Sequence, residues 1–132
     1  MPGETDLTKL LENLTPRLID GQWCFCCLQV KDIAESPEII SSALMTYKEK
    51  EGMSLLLPID VAKEKGYTFD GIFKGITLDV HSSLEAVGLT AVVATLLANN
   101  NISANVIAAT YHDHVFVGIA DADKALRLLQ TL

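Results

Sequence analysis

Residues 75–106 read GITLDVHSSLEAVGLTAVVATLLANNNISANV, a pattern of strand, turn, helix, turn and strand. Ile76, Leu78 and Val80 alternate with Thr77 and Asp79, the period of two expected of a strand with one covered face. Ser82 stands three residues before Glu85. That is the spacing of a capping box, so a helix is expected to start there. The helix runs past Gly88 and Leu97 to Asn99-Asn100-Asn101, where Asn tolerates the left-handed backbone of a helix end. The next strand, with Val106, follows. A strand-to-helix turn leaves backbone N–H groups unpaired at the positive end of the helix dipole, a seat for a carboxylate or phosphate.

The helix carries two apolar stripes, one of Leu84, Val87, Ala91, Ala94 and Ala98, the other of Leu89, Val92, Val93, Leu96 and Leu97. A helix apolar nearly all round is buried nearly all round. One sheet face covers only one side of it. The rest must meet another helix, in this chain or in a partner subunit, and a homo-oligomer (dimer or higher) is expected.

Upstream, Leu7, Leu10, Leu11 and Leu14 have helical spacing until Pro16 ends the pattern. Gln22 to Val30 reads as a strand apolar on both faces, and Cys24, Cys26 and Cys27 as small apolar residues within it. DIAESPE is a polar connection, too short for a crossover helix. Ile39 to Tyr47 fits strand or helix; with Ile39, Ser41, Ala43, Met45 and Tyr47 suited to one face, a strand is expected. Lys48 to Gly52 is a hairpin connection, Met53 to Leu57 a strand, and Ile59 to Lys65 a helix closed by Gly66. Phe69-Asp70-Gly71 divides the chain into an N-terminal half, 1–70, and a C-terminal half, 71–132. The second half continues with a strand from Ile102 to Thr110, a hairpin tip at His112-Asp113-His114, and a strand from His114 to Ile119. A helix after Asp121 follows, with the stripe Ala122, Ala125, Leu126, Leu129 and Leu132. The first half repeats the end of this order. Polar alternate strand faces and one-striped helices imply an α+β fold, an antiparallel sheet with helices on one face.

Composition narrows the function classes. The 132 residues are 49% hydrophobic and 20% charged, enough apolar material to fold without disulfides or metal. A formal charge of -7 argues against nucleic acid and against an anionic membrane surface. No run approaches a membrane span, and MPGETDLTK lacks the layout of a signal peptide, so a cytoplasmic protein is expected. The three cysteines have no second ligand pair to complete a zinc site.

SSLEAVGLTA, then ISANVIA, then YHDHVFVGIA, resemble the ACT family of amino-acid-binding regulatory domains. They are most similar to a branch of small proteins with two ACT-like halves, described as predicted regulators of amino-acid metabolism. EKEGMSLLLP and VAKEKGY resemble that branch's first half. The resemblance implies two ferredoxin-like halves. Many ACT domains carry a glycine in the first strand-to-helix turn, whereas this chain has His81-Ser82-Ser83 there and reaches Gly88 only inside the expected helix.

The implied ligand-binding set is His81, Ser82, Ser83, Leu84, Glu85, Val87, Gly88 and Asn105. Serine hydroxyls and helix N–H groups would meet the α-carboxylate of an amino-acid effector. Asn105 or Glu85 would accept from its ammonium group. Ser82 can also serve simply as a helix cap. Asn105 is an unusual residue for mid-strand, and the resemblance gives it a ligand or interface role. No catalytic residues, cofactor or metal are expected. His81 beside the serines lacks the elbow and matched acid of a nucleophilic site, and His112 and His114 lack a third ligand. The expected function is thus a non-catalytic regulatory module with an amino-acid effector. The alternative is an adaptor subunit that uses the fold for assembly and binds no small molecule.

Overall fold

The computed structural model describes residues 3–132. They form two compact units: residues 21–73, and a second in which residues 74–132 are joined by the described residues up to Asp20. The chain passes from one unit to the other next to Phe73, three residues beyond the Asp70/Gly71 division read from sequence.

The 21–73 unit contains β2 (Trp23–Leu28), α2 (Pro37–Ser42), β3 (Met45–Glu49), β4 (Gly52–Pro58) and α3 (Ile59–Lys65), after α1 (Leu7–Asn13) and β1 (Thr15–Leu18) earlier in the chain. Its strands lie in the order β3-β4-β2 and pair antiparallel. The expected strand from Ile39 to Tyr47 is a correction: its first part is helix α2 and only its end is strand. Pro37 at the first turn has the φ a helix start needs, and Ile39 is thereby turned into the core. The order strand, helix, strand, strand, helix is therefore complete in this half, with a six-residue crossover helix. Gly66 closes α3 in the left-handed conformation, φ 73°.

Alternation along β2 sorts its cysteines. Cys24 and Cys26 enter the core with Leu28, Leu55, Leu57 and Ala62, while Cys27 is exposed, unlike the buried residue expected. Burial raises both inner thiols above their usual range. Cys26, further opposed by the Cys24 sulfur 3.6 Å away, is pushed up to about 12. Both stay protonated and behave as small apolar residues.

The second unit adds to α1 and β1 the elements β5 (Phe73–Asp79), α4 (Leu89–Asn99), β6 (Asn105–Ala108), β7 (Asp113–Gly118) and α5 (Ala122–Leu129). The strand order is β1-β5-β7-β6. β1, which the sequence did not reveal, pairs antiparallel with β5, Pro16 facing Leu78 and Arg17 facing Thr77. Pro16 cannot donate a ladder hydrogen bond, and β1 sits at an edge where none is demanded. Asp6 caps α1 by accepting from the Lys9 N–H at 3.1 Å.

Ile76, Leu78, Val115 and Val117 face the helices and pack with Leu89, Val93 and Leu97 of α4 and Ala122, Ala125 and Leu129 of α5. The flanks of α4 meet α1 and α5 of the same chain, which is how a helix apolar on two sides is covered here. Its outward positions are Thr90, Ala91, Thr95 and Ala98.

Leu97 is fully buried, so Leu97→Ala should cost about 2–5 kcal/mol of unfolding free energy. Thr95→Ala on the exposed side should stay within about 0.5 kcal/mol. Urea denaturation of the two variants checks this difference.

Candidate ligand site

The connection from β5 to α4 differs from its sequence reading, and backbone hydrogen bonds show why. The Glu4 N–H donates to the His81 carbonyl and the Ser83 N–H to the Glu4 carbonyl, both at 2.8 Å. The described N-terminal residues thus add a parallel bridge to Ser82. A side chain at Gly3 would place its Cβ 2.5 Å from the Ser82 carbonyl carbon, so this approach requires glycine. The Ser82 hydroxyl is buried and donates to Asp113 Oδ2 at 3.2 Å. The Ser83 hydroxyl accepts from the Glu85 N–H at 3.1 Å, and the Ala86 N–H donates to the Ser83 carbonyl at 3.0 Å, which makes a turn.

The expected capping box is therefore corrected. Ser82 and Ser83 are already committed to Asp113, Glu4 and the turn, and the helix begins at Leu89. Gly88 is its N-cap, at φ 112°, a conformation that suits glycine. A glycine therefore does sit at the strand-to-helix turn. No side chain caps α4 and no acidic residue occupies its first turn, so its leading N–H groups keep their anion-accepting character. Leu84 is 71% and Val87 84% exposed, outside the helical stripe assigned to them.

The loop brings His81, Ser82, Ser83, Leu84, Glu85, Val87 and Gly88 together by chain continuity. Asn105 stands elsewhere, on edge strand β6 opposite Phe116, and donates from Nδ2 to the Phe116 carbonyl at 3.2 Å. Ser82 meets β7 at Asp113, three residues from Phe116 and one strand further in.

The sheet face away from the helices carries a polar group that sequence reading missed. Asp79 is 3.6 Å from Arg17 and 3.3 Å from His112. Thr77 Oγ1 and His114 Nδ1 share a hydrogen bond of 3.0 Å. The His81 ring lies 5.4 Å from that of Tyr111. Thr77 and Asp79 alternate with core residues, as His112 and His114 do with Val115 and Val117, so the signal was the period of two. The hairpin tip expected at His112-Asp113-His114 is not where the chain turns. The turn falls earlier, closed by the Ala109 N–H donating to the His112 carbonyl at 3.1 Å, and Asp113 and His114 belong to β7. Among the described residues no group of three or more His, Cys, Asp or Glu is placed to hold a metal ion.

The 21–73 unit has its own strand-to-helix connection, between β2 and α2, which the sequence reading treated as plain polar chain. It borders an open hollow of about 580 Å³, lined among others by Lys31, Asp32, Glu35, Ser36 and Tyr67. Burial, with the Asp32 charge nearby, raises the Tyr67 phenol above its usual range.

His114 titrates below the ordinary imidazole value of 6.5, first because it is partly buried, then because His112 and Arg17 oppose a second positive charge; Asp113 partly offsets them. Between the lowered folded value and 6.5 the unfolded chain binds more protons, so this group's contribution to stability falls as pH drops through that window. Urea midpoints should decline below about pH 6.5. The decline should be shallower in His114→Gln, which cannot charge.

Family models match the chain twice, each described as an ACT domain, over residues 2–74 and residues 74–131. No curated protein matches it. A crystal structure of a Vibrio cholerae protein of unknown function, described as a possible transport protein, is similar at 41% identity and TM-score 0.79, over 92% of this chain and 91% of that one. The structure of aspartokinase alpha and beta subunits is similar in fold at 15% identity and TM-score 0.64, over 89% of this chain and 97% of that one. Aspartokinase III from E. coli, solved with aspartate and ADP, aligns at 15% identity and TM-score 0.61 over 89% of this chain and 32% of its own. With an α+β antiparallel architecture in both halves and family matches that together span nearly all of its residues, the chain belongs to the ACT domain family, as a tandem of two such domains.

Proposed function

We propose that this protein is a non-catalytic regulatory module with an amino-acid effector, acting as a homo-oligomer on amino-acid metabolism. The observation that carries the reading is the pair of ACT domains, a family of regulatory modules that commonly bind amino-acid effectors and oligomerise. The fold-level likeness to an aspartokinase solved with aspartate is consistent with a small amino acid as the ligand class.

The effector's carboxylate is assigned to the N-terminus of α4, at the N–H groups following Gly88, where no side chain competes. This moves the seat from Ser83, whose own N–H is held by Glu4. Ser82, Ser83 and Glu85 shape the preceding loop, and His81 and Glu85 are the loop's polar groups for the ammonium end. Asn105 contributes across an interface, from a neighbouring copy. The exposed Leu84 and Val87 favour such an interface, since apolar side chains this open gain by being covered. The same exposure supports the adaptor reading, in which the fold only assembles.

A thermal-shift screen against the twenty amino acids separates the two. A true effector at a hundred times its dissociation constant should add about 2.7 kcal/mol to stability, and an adaptor should respond to none. Val87→Asp places a fixed negative charge beside the proposed carboxylate seat on a largely exposed residue. It should weaken effector binding about tenfold, or about 1.4 kcal/mol, without lowering the melting temperature, because an acidic group suits a helix N-terminus. Calorimetry showing unchanged affinity would place the effector elsewhere. Light scattering should give a mass at least twice the 14.3 kDa of one chain, and a clean monomer would remove Asn105 from the site.

A further inference from the structure

A second hollow in the 21–73 unit has a chemistry distinct from that of the helix N-terminus. Phe25 and Phe73 meet at right angles, ring centroids 5.3 Å apart and planes at 84°. With Phe69 they line a recess of about 430 Å³ that also takes in Ser54, Asp70 and Gly71. The strand alternation that sends Cys24 and Cys26 inward turns Phe25 to the other face. All three rings remain only partly buried. The exposed acidic residue Asp70 is among those that line the recess, and the Ser54 hydroxyl donates to the Glu49 carboxylate, bringing a second negative charge close. None of the residues lining the recess is a lysine, arginine or histidine.

Aromatic faces attract cations through their quadrupole, and a carboxylate beside them supplies the counter-charge. A carboxylate-bearing ligand would find no basic side chain among the lining residues and two acids nearby, so the recess favours a simple cation over an amino-acid zwitterion. A recess of this size is at the small end of ligand pockets. The chain's formal charge of -7 favours the approach of cations to the protein as a whole. We infer that this recess is a binding site for a small organic cation, a primary or quaternary ammonium on an apolar body, independent of the proposed effector seat.

The test titrates the full chain with 2-phenylethylammonium and, in parallel, with the neutral 2-phenylethanol, following backbone amides by NMR. The ammonium should shift the Ser54 and Gly71 amides saturably, and the alcohol should bind about fivefold more weakly or less, the loss expected when a partly exposed ion pair and cation–π contact are absent. Asp70→Asn, on an exposed loop, should weaken the ammonium and narrow the gap between the two probes, the cation–π part remaining. Phe25→Leu, which keeps an apolar side chain without a ring face, should weaken the ammonium more than the alcohol. Equal affinity for the two probes, an unaltered affinity in Asp70→Asn, or silence at those amides at millimolar ligand would each overturn the inference.

Discussion

The second unit depends on how the edge of β5 is closed. β5 is the strand from which the polar row projects, and β7 occupies one of its sides. Its other side would present unpaired N–H and C=O groups, which invite the wrong partner. β1 takes that side in antiparallel register from Thr15↔Asp79 to Leu18↔Ile76, and the Ile19 N–H extends the ladder to the Gly75 carbonyl at 2.8 Å. Gly75 admits this neighbour because a Cβ there would stand 2.7 Å from the Phe116 ring and 2.8 Å from Ile19. The whole 21–73 unit lies between β1 and β5 in sequence. Closure over such a distance is tolerated because its entropic cost grows only with the logarithm of length, roughly 0.6 kcal/mol per doubling.

The same N-terminal segment sets the start of α4. Once Glu4 takes up the Ser83 N–H and offers its own N–H to His81, the serines are held in extended and turn conformations, and the local preference for a capping box is overridden. The helix starts six residues later than Ser83, where Gly88 can adopt a positive φ and Leu89 can enter the core. A side chain at Gly88 would also press to 2.9 Å from Leu7 of α1. Loop, helix start and N-terminal segment therefore constrain one another through backbone hydrogen bonds and close packing.

Both halves place a strand-to-helix connection after their first strand, β2 to α2 and β5 to α4. They differ in what surrounds it. The second has an uncapped eleven-residue helix behind it, whereas the first has a six-residue helix and a hollow lined by charges of both signs and a tyrosine. A short helix offers few aligned dipoles. The two connections thus differ in the helix dipole behind them although they arise from the same order of elements.

The sequence by itself determined the strands and helices whose own residues bury them: Ile76 and Leu78, the stripe of α5, the Leu10 face of α1, and the Gly66 stop of α3. It also carried the family resemblance. Those features rest on periodicities of two and 3.6 and on local backbone chemistry, which neighbouring residues fix. Only the tertiary structure decided that β1 is a strand, that Ile39 belongs to a helix and that Ser82 and Ser83 do not start one. It also decided that Asp79, His112 and Arg17 share one face. For β1, the serines and the polar face the deciding partner is far away in the chain (Leu78 for Pro16, Glu4 for Ser83, Arg17 for Asp79), and contacts with distant segments leave no period in the sequence to be read; at Ile39, where strand and helix both fit the pattern, burial against the core settles it.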